Sequence, residues 1–72
     1  MVNVEKLRAA MEASGVSIEA AAAALGVNRA TLYRRLQQAG ANFTLEEVSK
    51  LANLLSLNRA EMEAIFFDRE LA

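Results

Sequence analysis

Residues 17–37, SIEAAAAALGVNRATLYRRLQ, decide the fold, because two short helical segments flank one glycine. Ser17 and Asn28 are residue types that accept hydrogen bonds from the free backbone N–H groups of a first helical turn. Gly26 stands where a helix ends in the left-handed conformation, which glycine adopts at little cost. The spacing therefore predicts a helix of about two turns after Ser17, a turn at Gly26 and a second helix after Asn28.

Small and apolar side chains predict a buried seam between these two helices. Ala22 is small enough for the first helix to cross the second closely. Leu25 and Val27 flank the glycine, and together with Leu32 and Leu36, which are four residues apart, they complete the predicted seam. Two such helices joined by a short glycine turn are typical of the helix-turn-helix motif, whose second helix lies in the major groove of DNA.

Length and composition restrict the protein further. With 72 residues, the chain has room for a single domain, residues 1–72, with one small core. It contains no cysteine, histidine or proline, so we expect no disulfide and no metal site of thiolates or imidazoles. No apolar run approaches the roughly 20 residues that span a bilayer, and no signal-peptide pattern is present. We expect a cytosolic protein with no cofactor, no membrane contact and no small-molecule substrate.

Charge is distributed unevenly, although the formal net charge is only -1. Residues 20–43 contain Arg29, Arg34 and Arg35 and no acidic residue, whereas both flanking segments are net negative. A local positive field favours docking on a polyanion whatever the net charge. The same arginines are also explained as solvated residues that keep an exposed helix soluble, so charge alone leaves both interpretations open.

The rest of the chain predicts three further helices, each opened by a residue type that caps helices. They cover about residues 4–13, 45–55 and 59–67, after Asn3, Thr44 and Asn58. The second and third of them also carry a glutamate at capping-box spacing, Glu47 and Glu61. The apolar stripes expected to face the core are Val4, Leu7 and Met11, then Val48, Leu51, Ala52 and Leu55, then Met62, Ile65 and Phe66. Phe43 is expected to pack on the first turn of the helix after Thr44. The fold class is therefore all-α, a five-helix orthogonal bundle.

The chain resembles the phage-repressor family of the Xre/Cro type along nearly its whole length. The resemblance is carried by LRAAMEASGVS, LGVNRATLYRRL and FTLEEVSKLANLLSLNRAEM, at residues 7–17, 25–36 and 43–62. Fis-type domains share a similar motif but end with it, whereas two helices follow here. The resemblance implies a lambda-repressor-like DNA-binding domain with the helix-turn-helix on helices two and three. It further implies a small transcriptional regulator, a repressor, cytoplasmic and nucleoid-associated in a bacterium or phage.

The docking mode of this family implies which side chains of residues 29–38 face bases. Leu32 and Leu36 point inward, so the candidates lie on the other side of the helix: Arg29, Ala30, Tyr33, Arg34 and Gln37. Arginine makes forked hydrogen bonds to guanine, and glutamine makes them to adenine. Ala30 and Tyr33 offer apolar surface to a thymine methyl group. Tyr33 can instead reach a phosphate, or stay half-buried with its hydroxyl in water.

Candidates for phosphate contacts surround this face: Ser17, Asn28, Thr31, Arg35, Gln38 and Asn42. For Arg35 the alternative is an ion pair with the fourth helix, and Thr31, Gln38 and Asn42 are equally explained as solvated residues. Family members often have a glutamine where this chain has Ile18. Glu19 follows it, and we expect its charge to repel DNA slightly.

Two adjacent aromatic residues predict a symmetric homodimer. Neighbours on a helix diverge by about 100°, so Phe66 can join the core while Phe67 stays partly exposed beside Leu71. A two-fold axis can cover such a patch with its own copy. Phe67 and Leu71 are therefore the predicted dimer interface.

Three classes of function are compared on these grounds. An enzyme is disfavoured, because scattered carboxylates without histidine or cysteine supply no positioned nucleophile or base, and no catalytic residue is assigned. A protein-interaction module or an antitoxin can be built on the same bundle. The basic, polar outer face of residues 29–38 favours sequence-specific binding of double-stranded DNA.

Overall fold

The computed structural model describes residues 2–38 and 42–68. Over these ranges the chain forms five α-helices and no strand: α1 (Val4–Ser14), α2 (Ile18–Leu25), α3 (Arg29–Gln37), α4 (Leu45–Leu54) and α5 (Arg59–Phe66). The all-α fold expected from the sequence is confirmed. The ends of α1, α4 and α5 each lie one residue from the predicted position. Among the helices described, none is long and apolar enough to cross a membrane.

Every helix begins at a side chain that accepts a hydrogen bond from its first turn. The first N–H groups of a helix have no partner within the helix, so such a cap stabilises the helix by about 1 kcal/mol. All five predicted caps form, at Asn3, Ser17, Asn28, Thr44 and Asn58. In α4 and α5 the predicted glutamates complete capping boxes, because each also accepts the N–H of its capping residue at 2.9 Å.

Three of the helices end in the same way, with one residue in the left-handed region. Gly15 (φ 67°) and Gly26 (φ 73°) occupy this position after α1 and α2, and Ser56 (φ 53°) occupies it after α4. The N–H of Leu57 then donates to the carbonyl of Ala52 at 2.9 Å, as in a Schellman motif. The serine was not anticipated, because a side chain crowds the backbone in this conformation and glycine does not.

Helix α2 packs against α3 and α4, and α1 packs against α5. The core lies between these two groups of helices. Its largest fully buried side chains are Leu7, Leu32 and Leu51. The predicted seam between α2 and α3 is confirmed for its alanine and leucines, Ala22, Leu25, Leu32 and Leu36. Val4, Val27 and Met62 were predicted to be buried but are half-buried at the edge of the core. Val27 lies in the turn after Gly26, where the chain runs along the surface.

The start of the chain is fixed to the end of α5, which the sequence analysis missed. Val2 is buried, and the N–H of Asn3 donates to the carbonyl of Ile65 at 2.6 Å. The side-chain amide of Asn3 donates to Asp68 at 2.9 Å, and Lys6 lies 3.7 Å from the same carboxylate. An apolar residue directly before a helix cap is the signature of a hydrophobic staple, and Val2 carries that signature.

Candidate nucleic-acid interface

Two leucines on the inner face of α3 are buried in the core, so the opposite face of the helix is turned toward solvent. Leu32 and Leu36 are 1% and 3% exposed, which sets the rotation of the helix about its axis. The candidates for base contacts are all exposed: Arg29, Ala30, Tyr33, Arg34 and Gln37. At 100° per residue, all of them except Arg29 fall on one arc of about 100°, and Arg29 lies in the first turn beside that arc. The structure therefore brings four of the five together on the outer arc of α3, whereas Arg29 is exposed in the first turn on the side that faces α2. The contact of all five with bases stays a prediction.

Arg34 and Tyr33 occupy this face in different ways. Arg34 points away from the core and has no hydrogen bond or ion pair with any residue of the described ranges. Its five N–H donors are therefore available to an external acceptor. Tyr33 is 42% exposed, so part of its ring lies against the protein and part faces solvent on the same side as Arg34.

Arg35, by contrast, is paired within the protein. Its Nη1 and Nη2 donate to Oε2 and Oε1 of Glu47, each at 2.9 Å, and Nη2 also donates to the carbonyl of Asn42. The guanidinium carbon lies 4.3 Å from the centre of the Phe43 ring, which is a cation–π distance. Of the two roles that the sequence left open for Arg35, the structure shows the ion pair with α4.

The Arg35–Glu47 pair favours the charged form of both groups. The hydrogen bonds from Arg35 lower the pKa of Glu47 to about 2, and the Thr44 N–H adds to this effect while partial burial opposes it. The same hydrogen bonding raises the pKa of Arg35. Three of the five N–H donors of Arg35 are used in its bonds to Glu47 and Asn42, which orient its guanidinium toward α4 and the residues just before it. We therefore assign Arg35 to the fold, while a phosphate contact through its remaining donors stays a prediction.

Phe43 joins this pair to α5. Its ring meets the Phe66 ring edge to face, with centroids 6.1 Å apart and planes at 82°. Phe43 was predicted to pack on the first turn of α4; the ring contacts that the structure shows are with Arg35 and Phe66. The C-terminal end of α3 is thus tied to α4 and α5 through one cluster of side chains.

The other candidates for phosphate contacts lie around the exposed face. Ser17 and Asn28 each accept a backbone N–H three residues further on, at 3.1 and 2.8 Å. Their oxygens are used as caps, but the Ser17 hydroxyl and the Asn28 amide can still donate to a phosphate. Thr31 is half-buried, whereas Gln38 and Asn42 are exposed. No contact of these side chains decides between a role at phosphate and simple solvation.

Arg29 has a partner that the sequence analysis did not anticipate. Its Nε donates to Oε1 of Glu19 at 3.2 Å, and the two side chains remain 65% and 67% exposed. The sequence does carry a signal for this pair, because Glu19 is the last acidic residue before the acid-free segment 20–43. Both residues also lie in the first turn of their helices, α2 and α3, which pack together.

The aromatic pair near the C-terminus divides as expected. Phe66 is 3% exposed and Phe67 is 48% exposed. The prediction that one ring joins the core and the other stays partly exposed is therefore confirmed. Leu71, the second residue of the predicted dimer interface, lies outside the described residues.

Acidic groups do not converge into a metal site within residues 2–38 and 42–68. Near α3 they form pairs with arginine instead, Glu19 with Arg29 and Glu47 with Arg35. The chemistry that this region offers is therefore that of hydrogen-bond donors and positive charge on an exposed helix.

A five-helix bundle whose third helix presents such a face defines the class of helix-turn-helix DNA-binding regulators. Residues 4–65 match a family model described as a helix-turn-helix domain. Because the match covers most of the chain, the protein belongs to the helix-turn-helix domain family. The expected resemblance to Xre/Cro-type regulators is confirmed by this match. Members of such families are typically not enzymes. Neither the curated proteins nor the solved structures gave a match to the chain.

Proposed function

We propose that the protein is a transcriptional repressor that binds a specific sequence of double-stranded DNA, with α3 in the major groove. The observation that carries the proposal is the exposed face of α3, where Arg34 and Gln37 lie in an acid-free stretch, residues 20–43. Arginine and glutamine on a helix of this orientation have the donors that read guanine and adenine. In this proposed function, residues 1–72 form one domain of a cytoplasmic, nucleoid-associated protein.

The exposure of the side chains supports the choice of the proposed contacts. The proposed base contacts are the five exposed residues of α3: Arg29, Ala30, Tyr33, Arg34 and Gln37. The proposed phosphate contacts are the polar residues at the rim of this face: Ser17, Asn28, Thr31, Gln38 and Asn42. The N-terminus of α2 supports them, since free backbone N–H groups at a helix start attract phosphate.

The proposed assembly is a symmetric homodimer with Phe67 at its two-fold axis. A ring that is half exposed at the end of α5 leaves apolar surface that a second copy can cover. Two recognition helices about 34 Å apart would then read half-sites one helical turn apart. The operator would be palindromic.

Selection of bound duplexes from a random pool tests the proposal most directly. We expect one palindromic consensus to emerge. Arg34→Ala should weaken binding of the protein to this consensus by about 1–3 kcal/mol and relax the preference at one base position. Lys50→Ala is the matched control, because it removes one exposed positive charge from α4. An equal loss from Arg34→Ala on every duplex would make Arg34 a phosphate contact.

The salt dependence of binding separates this proposal from its alternative. Each neutralised phosphate contributes about -0.9 to the slope of log K against log salt. A domain with few basic side chains on its DNA face should give a small slope per monomer, and a dimer about twice that. A slope near zero, with no selected sequence, would favour a protein-interaction module or an antitoxin.

Sedimentation velocity at tens of micromolar tests the assembly. The native chain should form a dimer, at least on its operator, and Phe67→Glu should remain monomeric. Leu45→Glu is the control, because Leu45 is 79% exposed and lies outside the proposed patch. A dimer that survives Phe67→Glu would place the interface elsewhere.

A further inference from the structure

The pair between Glu19 and Arg29 connects the starts of the two helices of the motif. Glu19 is the second residue of α2, and Arg29 is the first residue of α3. The hydrogen bond from Nε of Arg29 to Oε1 of Glu19, at 3.2 Å, is therefore made at the end of α3 that enters the groove in the proposed function. No other hydrogen bond of Arg29's side chain is made within the described residues.

The geometry of this bond leaves a specific part of Arg29 free. An arginine side chain carries five N–H donors, one on Nε and four on Nη1 and Nη2. With Nε bound to Glu19, the two terminal nitrogens still form a fork. That fork can donate to O6 and N7 of a guanine, which is the commonest specific contact of arginine in the major groove.

The pair does little for the fold, so its position calls for another explanation. Both side chains are about two-thirds exposed, and exposed ion pairs contribute little or nothing to stability. A free arginine has many rotamers, and fixing them on binding reduces affinity. An acceptor at Nε favours one direction of the guanidinium before DNA arrives.

We propose that Glu19 is a positioning residue for base recognition, which holds Arg29 by Nε so that Nη1 and Nη2 face one guanine of the operator. The inference deepens the proposed function and rests on it. It adds a second role to the slight repulsion of DNA that was expected of Glu19. Its negative charge still lowers the affinity for every duplex, so Glu19 reduces binding in general while it sharpens the preference for one base.

The test separates these two effects by measuring a ratio. Arg29→Ala first identifies the operator position at which the preference for guanine is lost. Affinities are then measured for the selected operator and for the same duplex with adenine at that position. Glu19→Ala should raise the affinity for the adenine duplex. It should also lower the ratio of the operator affinity to the adenine-duplex affinity by about 1.4- to fivefold, the range of coupling in exposed ion pairs. Glu19→Gln should keep most of the ratio, because its amide oxygen still accepts from Nε.

Two further variants complete the experiment. In an Arg29→Ala background, Glu19→Ala should no longer change the ratio. Glu63→Ala is the matched control, because Glu63 faces Nε of Arg59 in another exposed pair, at 3.8 Å on α5, and it should leave the ratio unchanged. Urea unfolding of each variant confirms that the compared proteins are folded.

The outcomes distinguish the inference from the proposed function. If Glu19→Ala raises the affinity for both duplexes by the same factor, Glu19 merely repels DNA and the inference is wrong. It is also wrong if Arg29→Ala removes no base preference while Arg34→Ala does, and in that case the proposed function stands. If no duplex is selected at all, both are overturned.

Discussion

The two ends of α3 use the same pair of residue types in different ways. At the C-terminal end, Arg35 and Glu47 make two hydrogen bonds, with side chains 25% and 18% exposed. At the N-terminal end, Arg29 and Glu19 make one, with side chains 65% and 67% exposed. Both pairs join α3 to a neighbouring helix. Their sequence separations are similar, 12 residues for Arg35 and Glu47 and 10 for Arg29 and Glu19.

Exposure to solvent explains why the two pairs differ in their contribution to stability. Water screens an exposed pair and competes for its donors, so such pairs contribute about 0–1 kcal/mol. Arg35 and Glu47 are more shielded from water and form a bidentate pair, which adds a second charge-assisted hydrogen bond and a defined geometry. Arg35 therefore belongs to the structure that holds α3 in place, whereas Arg29 stays available for DNA. Residue type and helix position alone do not separate the two roles.

The largest effect expected from this difference is on stability. Arg35→Ala removes two hydrogen bonds to Glu47, one to Asn42 and the contact with the Phe43 ring, and should lower the free energy of unfolding by about 2–3 kcal/mol. Arg29→Ala should lower it by less than about 0.5 kcal/mol. Equilibrium urea unfolding of both variants measures the difference. Equal losses would contradict the assignment of Arg35 to the fold.

The second-largest effect should be the loss of stability in acid, when Glu47 of the pair with Arg35 is protonated. The pKa of Glu47 lies at about 2 in the folded protein, below that of an unfolded glutamate, so its contribution to stability is complete above the unfolded value. That contribution declines as the pH falls from about 5 towards 2, because protonation then favours the unfolded chain. We expect a loss of about 1–2 kcal/mol over this range that Glu47→Gln does not show. Parallel stability curves for the two proteins would refute the argument.

The sequence predicted what depends on local spacing. All five caps and the position of Gly26 could be assigned from the residue types, since a cap bonds to a backbone group only two or three residues away. The inward face of α3 followed from the spacing of Leu32 and Leu36 in the same way. These features fix the helices and the exposed face of the candidate site.

What the sequence left open depends on distances across the fold. Whether Arg35 meets a phosphate or Glu47 depends on how closely α4 approaches α3, which no local pattern states. The bond from Arg29 to Glu19 likewise needs the packing of α2 on α3. Ser56 was missed for a different reason, because helix and turn bonds around it impose a conformation that serine itself disfavours.

Replacing Ser56 by glycine should give a more stable background in which the stability losses of the Arg35 variants can be measured accurately. A domain of this size has little stability to lose, and Ser56→Gly should add about 0.5–1 kcal/mol by relieving the left-handed conformation. Gly15→Ser is the reciprocal control, since a β-carbon at Gly15 meets nothing within 4 Å and only the backbone conformation should cost stability. Urea unfolding should show shifts of opposite sign. Shifts of the same sign would mean that the surroundings of Ser56, and not its φ angle, decide the result.

The smallest effects should come from the exposed pairs of α4 and α5, which have no proposed contact with DNA. Lys50 lies 3.3 Å from Glu46 in the favourable order, acid before base, and Arg59 lies 3.8 Å from Glu63 in the reverse order. Lys50→Ala should therefore cost about 0.3–0.5 kcal/mol.

Arg59→Ala should cost less than Lys50→Ala or even stabilise the protein slightly, because Arg59 is the first residue of α5 and a positive charge at a helix N-terminus opposes the helix dipole. Urea unfolding at low salt resolves the order of the two variants, and high salt should bring them together. A loss above about 1 kcal/mol from Arg59→Ala would show that exposure does not set the energy of these pairs. The contrast between Arg29 and Arg35 would then need another cause, such as the contact of Arg35 with Phe43.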